Sequence, residues 1–202
     1  MESPTTLKER VFEGALVCIG RYGLARTTVD DVASASGVSR ATIYRHFPGG
    51  REQLVAETVA WETSRFFVRL GQAVAAAPDL CVLLEDALVF ARRSLAEHAV
   101  LQRVFENEPE RLLPLITVEA NRILPMIGAF LVPFLERARD AGRLRSGADV
   151  GRTADYLARM VLSCIGSPGI YDFDDPAEIR LLVREQMLAG VLSPGAIAIE
   201  RP

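Results

Sequence analysis

Three features of the sequence predict an all-α fold. Apolar residues recur at helical spacing almost from one end to the other. No run of useful length alternates apolar and polar residues with period two, the pattern of a half-buried strand. Glycine and proline fall where one helical stripe stops and another begins, as at Gly23, Gly37, Pro48-Gly49-Gly50 and Pro78.

The first helix opens at Thr6-Leu7-Lys8-Glu9, where a threonine followed three residues later by a glutamate makes a capping box. Its apolar stripe is Leu7, Val11, Phe12, Ala15, Leu16 and Ile19, and Gly23 suits its C-terminal cap. A short second helix starts at Thr28 and stops at Gly37. A third starts at Ser39 and stops at Phe47, because Pro48-Gly49-Gly50 cannot continue it cheaply. A long helix follows from about Arg51 to Ala76. Further helices are expected over Asp79–His98, Val100–Glu106, Glu110–Ala141, Asp149–Ile165 and Pro176–Leu192, about nine in all. Pro114, Pro125 and Pro133 split or kink the Glu110–Ala141 stretch. The tail after Pro194 is expected to fray.

A length of 202 residues accommodates a small module fused to a larger one. The longest uncharged apolar run, Ile123–Leu135, is broken by Pro125 and Pro133 and is too short to span a bilayer. Met1-Glu2-Ser3-Pro4 shows no basic stretch leading into an apolar core, so the cytoplasm is the expected compartment, with no membrane partner. Cys18, Cys81 and Cys164 lie far apart without metal-ligand spacing and read as buried reduced thiols. The net charge of −3 offers no general attraction to nucleic acid, so any affinity for DNA requires a local patch.

Such a patch lies within Thr27–Leu54. Two helices this short bury a face only by crossing each other steeply through a small contact and a tight turn. Ala33 supplies the contact, Gly37 the turn, and Val38 and Ile43 the apolar wedge, at helix-turn-helix offsets. Val29, Val32 and Ala33 face inward from the first helix of the pair, and Ile43 and Phe47 from the second. At roughly 100° per residue, an inward Ile43 sends Ala41 and Arg45 to the opposite face, flanked by Thr42 and Tyr44. That face suits a major groove, and Arg40 sits in the first turn, where recognition helices meet base edges. Tyr44 and His46 carry polar tips suited to phosphate, whereas Phe47 closes the helix end. Ser39 serves either as helix cap or as phosphate contact, and both readings stand. No acidic residue occurs between Asp31 and Glu52, while Arg40, Arg45 and Arg51 do.

About the first 60 residues resemble the DNA-binding domain of the tetracycline-repressor (TetR) family. The resemblance is carried by Gly23-Leu24, Thr27-Thr28-Val29, Val32-Ala33, Ser36-Gly37-Val38-Ser39, Thr42-Ile43-Tyr44-Arg45-His46-Phe47 and Leu54. It implies a nine-helix dimeric regulator whose DNA-facing residues are Arg40, Ala41, Thr42, Tyr44, Arg45 and His46. Thr28, Ser39 and Arg51 complete the expected DNA-binding set. It further implies a C-terminal domain that binds a small molecule and then releases the operator. One departure is visible: many relatives place a lysine near the start of the fourth helix to grip phosphate, and here Gly50 precedes Arg51. Backbone N–H groups at that helix start, with Arg51, are the expected substitutes.

The expected layout is therefore a helix-turn-helix domain over 1–53 and a helical ligand-binding and dimerisation domain over 54–202. Two C-terminal stripes, one with Ala154, Leu157 and Val161 and one with Ile179, Val183 and Met187, are expected to form a two-fold dimer interface; the alternative is that they close the chain's own core. Phe90, Leu101, Phe105, Met126, Phe130, Phe134 and Met160 are expected around a pocket for a small, largely apolar effector, with His98, Glu106, Asn121 and Arg122 as polar candidates beside it. For each, core packing or a solvated surface is the competing reading. No glycine-rich phosphate loop, metal-ligand spacing or nucleophile elbow is present, and the only histidines are His46 and His98. Neither an enzyme nor a cofactor or metal is expected. The expected partners are double-stranded DNA, a second copy of the chain and the effector. An activator of the same fold and a helical interaction protein without DNA binding remain the alternatives.

Overall fold

The computed structural model describes residues 6–166 and 169–197, apart from the side chains of residues 109, 111–120, 122 and 166. The helices are α1 Leu7–Tyr22, α2 Val29–Ser36, α3 Arg40–His46, α4 Gly50–Val74, α5 Leu80–Glu97, α6 Ala99–Asn107, α7 Pro109–Asp140, α8 Val150–Gly166, α9 Pro176–Leu181 and α10 Pro194–Ile197. Among the described residues there is no strand, only an isolated antiparallel bridge between Leu144 and Leu192.

The starts and stops follow local chemistry. The Thr6–Glu9 capping box forms, and Gly23 closes α1 with its N–H donated to the Ile19 carbonyl. Thr28 caps α2 in the same way with Asp31, and Gly37 ends it in the left-handed conformation at φ 66°. The expected Pro176–Leu192 helix changes character after Leu181, becoming a π-helical segment Leu182–Met187. α7 is a single helix of 32 residues despite its prolines. Of the tail after Pro194, expected to fray, the part up to Ile197 instead forms the short α10 with Pro194, and residues 198–202 lie outside the described residues; Ser193 ties the start of α10 to Arg143 through backbone and hydroxyl bonds of 2.8 and 3.2 Å.

The chain divides into two compact units. One unit gathers the chain up to Phe67 together with Leu95–Glu119; the other gathers Val68–Ser94 and the chain from Ala120 onward. In the first unit, Val11, Phe12, Ala15, Cys18, Val29, Val32, Val38, Ile43, Phe47 and Leu54 form a buried core, with Ala33 and Trp61 packed against it. A second cluster joins Ile19, Leu24, Val55 and Val104, with Val100 and Leu101 alongside. Helix α6 is thus part of the same unit as the helix-turn-helix, because its apolar face buries against α1 and α4. Leu101, expected at an effector pocket, belongs to this core, and Phe105 sits on the same short helix, partly exposed.

In the second unit, Leu83, Leu84, Leu88, Leu131, Leu135, Leu157, Ile179 and Leu188 are the most deeply buried large side chains. Ala154, Leu157, Val161, Ile179, Val183 and Met187, expected at a dimer interface, are 0 to 3% exposed within the single chain. They pack within the chain's own interior. An Arg184–Glu85 pair at 2.7 Å, with both side chains largely buried, ties α5 to the π-helical segment. All three cysteines are free, and burial pushes each thiol up, keeping it in the poorly nucleophilic form. Among the described residues no helix is long and apolar enough to cross a membrane, and no group of His, Cys, Asp or Glu is arranged to hold a metal ion.

Candidate nucleic-acid interface

The seven residues of α3 cannot bury a complete face, so everything depends on how the helix is seated. Ile43 and Phe47 are fully buried, and Phe47 meets Phe12 edge to face with 5.7 Å between ring centroids. Phe12 in turn lies 5.3 Å from Trp61 of α4. α1 and α2 approach so closely that a Cβ on Gly14 would stand 2.9 Å from that of Ser36. Gly14, not singled out from sequence, is therefore a second small residue in the crossing, beside the half-buried Ala33. Arg10 secures the turn by donating from Nη2 to the Ser36 carbonyl at 3.0 Å.

With that seating, Arg40, Ala41, Tyr44 and Arg45 are exposed and Thr42 and His46 are half-buried. Ser39 caps α3: its Oγ accepts the Thr42 N–H at 3.2 Å and lies 2.9 Å from the Thr42 hydroxyl. Thr28 is equally committed, accepting the Asp31 N–H at 3.2 Å and donating its hydroxyl to the Asp31 carboxylate at 2.6 Å. For these two residues the helix-capping role is the one the geometry displays. Arg40 Nε lies 2.5 Å from Asp30 Oδ1, with both side chains more than half exposed. Exposed pairs of this kind contribute about 0–1 kcal/mol, so the guanidinium can leave Asp30 for a DNA anion at little cost. Arg45 makes no ion pair among the described residues.

Arg51 departs from its expected role. Its Nε donates to the Thr27 carbonyl at 2.8 Å, Nη2 donates to the Leu24 carbonyl, and Nη1 pairs with Glu52. The guanidinium is a clamp on the α1–α2 connection and does not stand free for phosphate. At the start of α4, Gly49 gives its N–H to the Gln53 side chain at 2.7 Å and Gly50 gives its own to the Phe47 carbonyl at 2.8 Å. Gly50 takes φ 64°, and a Cβ there would meet the Tyr44 ring at 3.5 Å, so the tyrosine lies over the α4 start.

The expected effector residues divide between the units. His98 caps α6: its Nδ1 accepts the Leu101 N–H at 3.1 Å, while Nε2 faces Glu62 Oε1 at 3.5 Å. It belongs with Leu101 and Phe105 to the first unit. Phe90, Met126, Phe130, Phe134 and Met160 all lie in the second, none fully buried, with Phe130 and Phe134 at 5.7 Å between centroids. Glu106 and Asn121 are exposed, and the Arg122 side chain lies outside the described residues. A recess in the second unit lined by Asp79, Leu80, Cys81, Ala138, Arg143, Leu192 and Ala196 includes none of these residues.

Residues 11–58 match the family model described as bacterial regulatory proteins, tetR family. An uncharacterized HTH-type transcriptional regulator of Mycobacterium bovis is 27% identical over 163 residues, 81% of this chain and 82% of its own length. Among solved structures, a putative TetR-family transcriptional regulator from Mesorhizobium loti shares the fold with a TM-score of 0.64 at 18% identity, covering 95% of this chain and 100% of that one. SmeT, the repressor of the Stenotrophomonas maltophilia multidrug efflux pump SmeDEF, was solved in complex with triclosan and aligns with a TM-score of 0.56 at 22% identity, over 97% of this chain and 99% of that one. The buried wedge of Ile43 and Phe47, the exposed outer face of α3 and the match over residues 11–58 converge on one assignment. Residues 11–58 are a helix-turn-helix DNA-binding domain of the tetR type of bacterial regulatory proteins, and the chain is similar over most of its length to an HTH-type transcriptional regulator.

Proposed function

We propose that this regulator is a repressor that binds a palindromic operator as a homodimer and leaves it when a small, largely apolar effector binds the second unit. The observation that carries the reading is the two-sidedness of α3. Ile43 anchors it at 0% exposure, while Arg40, Ala41, Tyr44 and Arg45 face solvent, in a stretch without an acidic residue from Val32 to Arg51. Arg40, Ala41, Thr42, Tyr44, Arg45 and His46 are assigned to DNA, with Arg45 and Tyr44 foremost. Symmetry of the operator follows from presenting two recognition helices to two half-sites.

The effector reading is supported by the half-exposed apolar side chains Phe90, Met126, Phe130, Phe134 and Met160, and by the structural relative SmeT, solved in complex with triclosan. Repression is supported by that same relative, itself the repressor of a multidrug efflux pump. For the dimer, the outward residues of α8 and α9 replace the buried stripes: Tyr156 and Leu181 are the large apolar side chains left exposed there.

Selection of genomic DNA fragments by the purified protein tests the reading, with Arg40→Ala/Arg45→Ala as control. Enrichment of a palindromic site, lost in the control, is the expected result. A folded protein that enriches nothing overturns it. Triclosan and other small apolar compounds are then titrated against the enriched fragment; unchanged operator affinity under saturating, demonstrably bound compound would remove the release mechanism while leaving DNA binding intact.

A further inference from the structure

The connection between α1 and α2 is six residues, Gly23–Thr28, and protein groups hold it at several points. The Gly23 carbonyl accepts the Thr27 hydroxyl at 2.8 Å and the Thr27 N–H at 3.3 Å. Arg51 donates to the Leu24 and Thr27 carbonyls from one side. From the other side, the Glu108 carboxylate accepts the Ala25 N–H at 2.8 Å, across 83 residues of sequence. The carboxylate also fills the space above Gly23, where a Cβ would stand 2.0 Å from Glu108 Oε1. Gly23, at φ 87°, is thus required twice: by its backbone and by the oxygen lying over it.

Glu108 is itself held rigidly. Its N–H donates to the Val104 carbonyl at 2.8 Å, closing α6, and Pro109 follows as the first residue of α7. The opposite end of α6 is fixed by His98, which caps the helix and faces Glu62 of α4. Between these ends, Val104, Val100 and Leu101 pack with Ile19 and Leu24. A helix remote in sequence from the DNA-binding motif therefore grips the loop that leads directly into it.

We propose that Glu108 is a positioning residue for DNA recognition: by holding the Ala25 N–H over Gly23, it sets the entry of the chain into α2 and hence the seating of α3. The proposal rests on the DNA-binding reading above. It predicts a loss of discrimination and not of general attraction, because a shifted α3 loses base-edge contacts while the positive surface stays. Glu108→Ala is expected to weaken binding to the enriched genomic fragment about tenfold, the scale of one charge-assisted hydrogen bond. Affinity for bulk sheared DNA at the same salt should stay within about twofold. Glu108→Gln, whose side-chain oxygen still accepts the Ala25 N–H, should recover most of the specific affinity.

The test is a set of paired titrations of the full-length wild type and both variants on the two DNA probes. The fluorescence of Trp61, the single tryptophan, reports the folded fraction of the first unit. Equal binding of the enriched fragment by wild type and Glu108→Ala overturns the proposal. So does a parallel loss on both probes that tracks the folded fraction, or a glutamine variant no better than alanine. A wild type that selects no fragment fails at the earlier step and overturns the DNA-binding reading itself, a result distinct from all of these.

Discussion

The helix-turn-helix and the C-terminal helices are both built on apolar stripes, yet they differ in what fixes each residue. In α1 to α3, caps and turns assign positions one by one: Thr6 with Glu9, Thr28 with Asp31, Gly37 at φ 66°, Ser39 with Thr42. In α8 and α9, Asp149 and Asp175 likewise cap the helix starts, but which faces are buried is read from periodicity alone. A stripe states that a face is buried; it does not state what covers it. Leu157, Ile179 and Val183 are at 0 to 1% exposure because their own chain covers them, and the stripe would read the same had a second subunit done so.

The largest effects separate the two units. Phe47→Ala removes a fully buried ring that contacts Phe12, and it should cost about 3–5 kcal/mol. Leu157→Ala in the other unit should cost about 2–5 kcal/mol. Trp61 stands in the first core, so Phe47→Ala should lower the denaturation midpoint seen by its fluorescence more than Leu157→Ala does, with far-UV circular dichroism following both. Equal shifts of one common transition in both variants would show that the chain unfolds as one unit and would break the contrast.

Next in size is the Arg51 clamp. Arg51→Ala leaves the Leu24 and Thr27 carbonyls without their guanidinium donor, and hydrogen bonds to charged groups contribute about 1.5–3 kcal/mol each before compensation by water. Arg51→Lys should restore little, because an ammonium cannot place two donors in the same fork. A lysine variant as stable as the wild type in urea denaturation would instead point to a simple charge effect.

These predictions mark where the sequence was informative. The helix bounds of α1 to α6, the buried roles of Val29, Val32, Ile43 and Phe47, and the exposed face of α3 all follow from short-range signals that a sequence displays directly. Arg51 was assigned to phosphate because a basic residue at a helix start looks the same whether it faces solvent or two carbonyls 24 and 27 residues earlier. His98 was grouped with apolar pocket candidates although its ring caps α6. Nothing local in Ala99–Glu108 indicates that this segment joins the DNA-binding unit; only the three-dimensional contact with Ile19, Leu24 and Ala25 does. Gly14 carried no signal either, since a glycine within a helix stripe reads as a weak helix former until the neighbouring Ser36 is seen.

The two exposed arginines of α3 should matter for DNA and hardly for folding. Arg40→Ala/Arg45→Ala loses only the exposed Asp30 pair, so its stability should fall within about 0.5 kcal/mol of wild type. The salt dependence of DNA binding should become shallower by about one in log–log slope for each arginine that meets a phosphate. An unchanged slope with reduced affinity would reassign that arginine to a base edge.

The smallest effect concerns pH and compares one carboxylate from each unit. The Thr6 N–H, 2.7 Å from Glu9 Oε2, and then the Thr6 hydroxyl hold the Glu9 carboxyl below its ordinary value. In α8 the Arg159 guanidinium, at 2.8 and 3.1 Å, does the same to Asp155. A pKa lowered in the folded state means the charged form is favoured by folding. The associated stability is present above the unfolded value, about 4 for both residues, and is lost as pH falls through the folded value. Glu9→Gln keeps a side chain able to complete the capping box and removes only the charge, whereas Asp155→Asn also removes the partner of a surface pair. Each variant should melt slightly below wild type at pH 7, and the gap should narrow as pH falls below about 4. Asp155 is exposed and Glu9 half-buried, so added salt should shrink the Asp155→Asn gap at pH 7 and leave the bonds of the capping box in place. A gap for either variant that persists undiminished at pH 3 would show that the lost stability came from the altered side chain and not from its charge.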